Sequence, residues 1–410
     1  MNSGDTAWVL TASALVLLMT IPGLAFFYGG LVRRKNVLSI LMQCFIIVCV
    51  ISLQWVLFGY SLAFGPDFHG IIGTLEWAGL AGVGAAPNSN YAATIPHSAF
   101  MIFQAMFAVI TPALIIGAYA ERVKFPAFLL FTVLWATFVY DPLAHWVWGA
   151  GGWLKSLGGL DFAGGIVVHV SSGISALVLA LLLGKRIGYN HKPIRPHNLP
   201  FTVLGAALLW FGWFGFNAGS ALAADGLAAT AFVNTNTATA AAGLAWALIE
   251  WRHNGSPTIL GAATGAVAGL VAITPACGFV NPMNAMLIGI IVAFVCYIAV
   301  AVMKGKLGYD DSLDAFGVHG VGGTVGTLLT GIFAQKAINP AGADGLLFGN
   351  LHTFGIQCLM LVVTVVFAAI MTFILFKIVD AAIGMRVEEK NEIIGLDLTQ
   401  QSEAAYTVIE

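Results

Sequence analysis

Apolar runs long enough to cross a bilayer recur along this chain, parted by short polar stretches. Their approximate limits are residues 7–32, 37–64, 96–120, 127–149, 162–184, 201–221, 231–251, 259–278, 284–304, 315–336 and 351–384. A membrane helix needs roughly 20 such residues. Backbone polar groups find no water inside a bilayer, so runs of this kind fold as helices. The pattern predicts an all-α polytopic membrane protein with eleven transmembrane helices.

Composition agrees with the pattern. The chain is 59% hydrophobic and 9% charged, against about 25% charged in an ordinary soluble domain. A soluble enzyme is excluded on that ground. The 48 glycines suit close helix contact inside a membrane. Five cysteines (Cys44, Cys49, Cys277, Cys296, Cys358) fall in apolar stretches without a CxxC pair, so they read as small buried hydrophobes. The first basic residue is Arg33, so the basic region of a cleavable signal is missing and the first run reads as a span.

Charge then orients the spans. One set of loops and the C-terminal end hold Arg33, Arg34, Lys35, Arg122, Lys124, Lys185, Arg186, Lys192, Arg195, Arg252, Lys304, Lys306, Lys377, Arg386 and Lys390. The other side has Lys155 and Lys336. Basic loops stay in the cytoplasm. The N-terminus is therefore expected outside and the C-terminus in the cytoplasm, in the cell membrane. The outer loop 65–95 is rich in small residues. From Met385 the composition changes to that of a soluble tail, residues 385–410, in which RVEEKNEIIGLDL fits one short amphipathic helix.

Internal similarity suggests an inverted repeat. Ile110-Thr111-Pro112-Ala113 in span three recurs as Ile273-Thr274-Pro275-Ala276 in span eight. Asp161 precedes His169 in span five by eight residues, and Asp311 precedes His319 in span ten by eight. Each match is five spans apart, so the copies run in opposite directions, as in transporters whose substrate path lies between repeats. The expected organisation is a membrane domain over 1–384 and the tail. Within the domain, repeat one covers about 1–186, repeat two about 200–336, and an extra helix about 351–384.

Ionisable side chains within spans are rare and mark pathways. Those singled out here are Asp161 at the start of span five, His169 and His319, with His145 at the outer end of span four. Two neutral imidazoles can share a proton, offer a polar line through an apolar passage, or relay protons. Buried histidines bonded to backbone are the structural alternative. Metal ligation lacks a third ligand, and no cofactor loop or nucleophile–base pair is present. Asp161 is placed to cap span five, and its charge would also attract a cation. Asp310, Asp311 and Asp314 are placed to cap and anchor span ten. Phe103 and Phe107, like Phe216 and Ser220, are four apart and share a helix face. With Trp148 at the outer end of span four they suggest an outer cation site of aromatic faces and one hydroxyl.

Depth poses a difficulty for the histidines. His169 lies eight residues into its span from outside and His319 about five into its span from inside, or about 12 and 8 Å at the helical rise. In a core of about 30 Å a gap near 10 Å remains. Spacing alone keeps them apart.

The motifs GLAFFYGGLVRRKN, IPHSAFMIFQAMFAVITPALIIGAYAER, DFAGGIVVHVSSG, WFGFNAGSA and DAFGVHGVGG occur in that order. With them the chain resembles the ammonium transporter (Amt/Rh) family over essentially its whole length, and its Amt branch through Trp148 and GWFGFN. The resemblance implies a homotrimer in the lipid membrane with one pore per subunit, eleven spans and an outside N-terminus. It implies that Phe107, Trp148 and Ser220 recruit ammonium, and that Phe107 and Phe216 form a phenyl gate. It further implies that His169 and His319 are paired in the pore and that Asp161 is a required acid near the recruitment site. It implies a regulatory tail that packs under a neighbouring subunit, although Gln401-Ser402 stand where relatives often have His-Gly, and a PII-type regulatory protein at the cytoplasmic face. The expected function is ammonium/ammonia transport without enzymatic activity, cofactor or nucleic-acid partner. A passive ammonia channel and an ammonium sensor are the alternatives.

Overall fold

The computed structural model describes residues 1–191 and 194–406. Lys192, one of the inner-loop basic residues, lies outside the described residues. The helices follow the apolar runs. They are α1 (Ser3–Leu31), α2 (Arg34–Phe64), α3 (His97–Tyr119), α4 (Phe125–Ser156, with a turn after Trp148), α5 (Gly165–Leu183) and α6 (Leu199–Gly219). Then come α7 (Gly226–Asn254), α8 (Ile259–Ile273), α9 (Pro282–Leu307), α10 (Phe316–Phe333) and α11 (Leu351–Ile383). Among the described residues, nine helices are long and apolar enough to cross a membrane unaided. The other two fall short for opposite reasons: α7 has 29 residues but is rich in alanine, threonine and asparagine, and α8 is apolar but has 15. The architecture is thus helical and polytopic. Outside it lies a small hairpin, β1 (Asp67–Phe68) against β2 (Ile72–Gly73). Cys44, Cys277 and Cys296 are buried as expected, whereas Cys49 faces outward and Cys358 is half-buried.

Glycine lets α5 and α10 cross tightly. A Cβ on Gly173 would collide with the Gly320 backbone, and one on Gly323 would meet His169 Cβ at 2.9 Å. Close backbone approach of this kind replaces hydrophobic driving force in a bilayer.

The starts of these two helices resolve the depth difficulty. Each begins below the protein surface, after a mostly buried loop, and a carboxylate caps each. Asp161 accepts N–H bonds from Gly164, Gly165, Ile166 and Val167 at 2.9, 2.6, 2.9 and 3.1 Å. Asp311 accepts from Ala315, Phe316 and Gly317 at 3.1, 2.8 and 3.4 Å. These bonds satisfy donors that a helix start otherwise leaves free, which is what permits a start away from water. Each helix then opens on a wide π-helical turn, Gly165–Val170 and Phe316–Gly320, that carries its histidine. The repeated Asp–His spacing therefore matches repeated local structure. The tetrapeptide does not: Pro112 sits inside α3, whereas α8 stops at Ile273 just before Thr274 and Pro275.

The basic loops converge on a buried ionic network. Glu121 pairs with Arg33 and Arg186, both at 3.0 Å. Asp310 pairs with Arg122 at 3.0 Å and Arg186 at 2.8 Å. Burial alone would raise the Glu121 carboxyl, but Arg186 and Arg33 outweigh it and hold that group below its ordinary range. Asp310 is held down in the same way by Arg186 and Arg122 against the push of burial.

The tail docks on this network within its own chain. It forms two helices, α12 (Glu389–Ile394) and α13 (Leu396–Gln401), where the sequence suggested one. Gly395, at φ +119°, separates them, a conformation open to glycine and strained for other residues. Glu392 accepts Ile187 N–H at 2.6 Å and Arg386 at 2.8 Å. Asp397 accepts Ser39 N–H at 2.8 Å, and Lys35 donates to the Glu392 and Ile393 carbonyls.

Candidate functional site

Five of the residues singled out from the sequence, Trp148, Phe107, Phe216, His169 and His319, come together in one column. Trp148 ends the helical part of α4, with its ring 5.7 Å from Phe107 at 85°. Phe107, on α3, stacks near Phe216 of α6 at 4.3 Å and 33°. Phe216 lies 6.1 Å from His169, and His169 lies 5.3 Å from His319. The two imidazoles meet through their Nδ1 atoms at 3.3 Å. One nitrogen must donate and the other accept.

Cavities approach the column from both ends. An outer one of about 360 Å³ is lined by Phe107, Trp148, Asp161 and Ser220. An inner one of about 180 Å³ reaches His319 beside Tyr28, Val318 and Asp314. Phe216 and His169, each at most 1% exposed, lie between them and line neither. The barrier between the two cavities is therefore the Phe216 ring and the His169 imidazole.

The polar groups at the outer end have defined roles. Ser220 caps α6 and its hydroxyl donates to the Phe216 carbonyl at 2.8 Å. With that proton committed, its oxygen faces the cavity as an acceptor. The Trp148 indole donates to the Asp161 carbonyl at 2.9 Å, so the ring is fixed to the loop that starts α5. Both Asp161 carboxylate oxygens are occupied by backbone N–H groups, two each. Their charge is spent on the α5 start, and Asp161 holds the outer site together from beneath. Phe103, the other candidate ring, packs behind Phe107 at 5.1 Å.

Two features escaped the sequence reading. Trp213 stacks over His169 at 5.4 Å and 24°, with its indole on Thr274 Oγ1 at 2.9 Å. It stands three residues before Phe216, which puts both on one helical face; that spacing was the available signal. The second is the environment of His145. It is fully buried and bonded on both ring nitrogens, to Ala63 and Asp67, and does not reach the column. Among the described residues, no three His, Cys, Asp or Glu side chains gather to hold a metal ion.

Comparison with known proteins places the chain in a family. The model of the Ammonium Transporter Family matches residues 7–406. The chain is 56% identical to the ammonium transporter of Bacillus subtilis over 406 residues, 99% of each chain. It is 49% identical to ammonium transporter Amt1 of Archaeoglobus fulgidus over 407 residues, 99% of this chain and 100% of that one. The crystal structure of Saccharomyces cerevisiae Mep2 superposes with a TM-score of 0.89 at 39% identity, covering 95% of this chain and 88% of that one. A structure titled Sensor Amt Protein superposes at 0.88 and 31% identity, covering 97% and 98%. The two sequence relatives are named as ammonium transporters, and the family match runs through every element that builds the column: the chain belongs to the ammonium transporter family.

Proposed function

We propose that this protein moves ammonium across the cell membrane by stripping its proton at the phenyl barrier. The observation that carries the reading is the column itself, with a cation-attracting aromatic cavity outside and paired imidazoles beyond a closed gate. Trp148 and Phe107 attract ammonium through their ring faces, and the Ser220 oxygen accepts one N–H. Rings 4.3 Å apart at Phe107 and Phe216 leave no room for a hydration shell. Carrying a bare ion into so dry a place has a nominal cost on the order of 20 kcal/mol. Ammonia avoids most of that cost. It passes Phe216 and runs along His169 and His319, while the proton follows through the imidazoles. Net transport is then electrogenic. Potassium is rejected because it has no proton to lose.

The same reading extends to topology and assembly. Eleven spans follow when α7 and α8 cross with the rest, as two inverted five-helix repeats and the extra helix α11. The N-terminus lies outside, on the side with Lys155 and Lys336. A homotrimer explains α7: Asn236 is exposed on it ten residues in, about 15 Å deep, where an amide facing lipid is costly. A second copy covers it. The tail, folded on the ionic network, is the regulatory surface, and the cytoplasmic mouth around Arg186, Tyr189 and Lys304 is the place for a PII-type protein.

The test is an ammonium pulse applied to proteoliposomes on a solid-supported membrane. The reading expects a current that scales with ammonium and is absent with potassium. Flux without current would leave a passive ammonia channel in its place, and the lack of both current and uptake would end the transport reading.

A further inference from the structure

His145 offers a second function for a buried histidine, outside the column. Its Nδ1 lies 3.0 Å from the Ala63 carbonyl and its Nε2 2.9 Å from Asp67 Oδ1. A carbonyl and a carboxylate only accept, whereas a neutral imidazole has one donor. Both bonds exist together only when the ring carries two protons. The buried ring then forms a charge-assisted pair with Asp67, which is the stronger kind of hydrogen bond.

This clasp ties the outer hairpin to the end of α4. Asp67 opens β1 and also accepts Gly70 N–H at 2.8 Å. The hairpin holds α4 at two more points, through Trp146 Nε1 to the Ile71 carbonyl at 2.7 Å and Trp153 N–H to the Gly70 carbonyl at 3.2 Å. Trp148 stands between those two tryptophans, three residues after His145. Other titratable groups of this region bond elsewhere: Asp141, one turn before His145 on α4, accepts from the Gln54 amide at 2.8 Å. Lys155 donates to the Trp148 carbonyl at 3.0 Å, Tyr91 to the Phe64 carbonyl at 2.6 Å, and Tyr60 meets His97 at 2.6 Å. Asp161 is occupied by its cap.

We infer that His145 is a positioning residue that sets the recruitment cavity through Trp148. Losing its bond to Ala63 or to Asp67 loosens the hairpin and weakens ammonium capture. The inference rests on the recruitment role given to Trp148 above.

The experiment measures the half-saturation and the maximum of the ammonium-evoked current at one outside pH for the wild type and the variants. His145→Gln keeps a donor toward Asp67 but gives up the second bond to Ala63, and Asp67→Asn fills the hairpin position but weakens the clasp. Each should raise half-saturation about two- to tenfold, the range of one lost hydrogen bond, with the maximum current unchanged. His145→Ala, which removes both bonds, should raise it further. Unchanged half-saturation in these variants, or a maximum current that falls while half-saturation stays at the wild-type value, overturns the inference. Trp148→Leu is the control: if it leaves half-saturation unchanged, the recruitment reading has failed instead.

Discussion

The outer and inner ends of the path are made of opposite materials. Outside, the cavity is walled by Phe107, Trp148 and Ser220, and its one nearby carboxylate, Asp161, is absorbed by backbone donors. Inside, Arg33, Arg122 and Arg186 are interlocked with Glu121 and Asp310, and the tail is fastened beside them by Glu392. A conducting site must attract its ion and also let it go. Ring faces and one hydroxyl give attraction that a lost proton cancels, whereas a bare carboxylate would hold the cation. On the proposed function capture falls to the outer cavity, which leaves the inner face free to use strong fixed charges to tie loops and tail together. Function and stability are thus expected to separate along the membrane normal.

The largest predicted effect lies inside. Asp310→Ala leaves Arg122 without its carboxylate and Arg186 with Glu121 alone, and breaking such a buried pair costs about 3–5 kcal/mol. Thermal unfolding in detergent should drop steeply for this variant, with a released, protease-sensitive tail. An outer substitution such as Trp148→Leu should leave the unfolding temperature close to wild type.

Acid should reach the inner network by a slower route. Glu121 and Asp310 are held below their ordinary ranges in the folded protein. Their contribution is therefore complete above the usual carboxylate pKa of about 4 and is lost only as pH falls through the lower folded value. The stability difference between the wild type and Asp310→Ala, followed against pH by thermal unfolding, should stay constant down to about pH 4 and shrink below it. A difference that already shrinks near pH 6 would contradict the network as drawn.

Outside, the effects should fall on affinity. Trp148→Leu removes a cation–π contact of about 0.5–2 kcal/mol, so half-saturation should rise about two- to thirtyfold. Ser220→Ala removes one acceptor and should raise it by about two- to tenfold. Half-saturation measured by ammonium-pulse current ranks the two, and the tryptophan should have the larger effect.

Much of this contrast was legible in the sequence. Runs of apolar residues are strong, local signals, and they marked the helices. The column residues were legible as types, because histidine and serine are conspicuous among apolar neighbours. Contact between His169 and His319 was not, since it depends on α5 and α10 starting inside the protein. That start rests on Asp161 and Asp311 capping buried backbone, which no periodicity reports. Trp213 was hidden among other aromatics of the same span. His145 was visible as a buried histidine, but its partner Asp67 lies in a loop whose hairpin has no hydrophobic pattern. The tail break at Gly395 was readable only as a glycine.

The central claim is that His169 and His319 together make the path selective by carrying ammonia and its proton apart. The double variant His169→Ala with His319→Ala, reconstituted and pulsed with ammonium and then with potassium, tests it most directly. The account predicts that the ammonium current disappears, or that a potassium current appears because a water-filled gap has replaced the imidazoles. An ammonium current of wild-type size with potassium still excluded would contradict it.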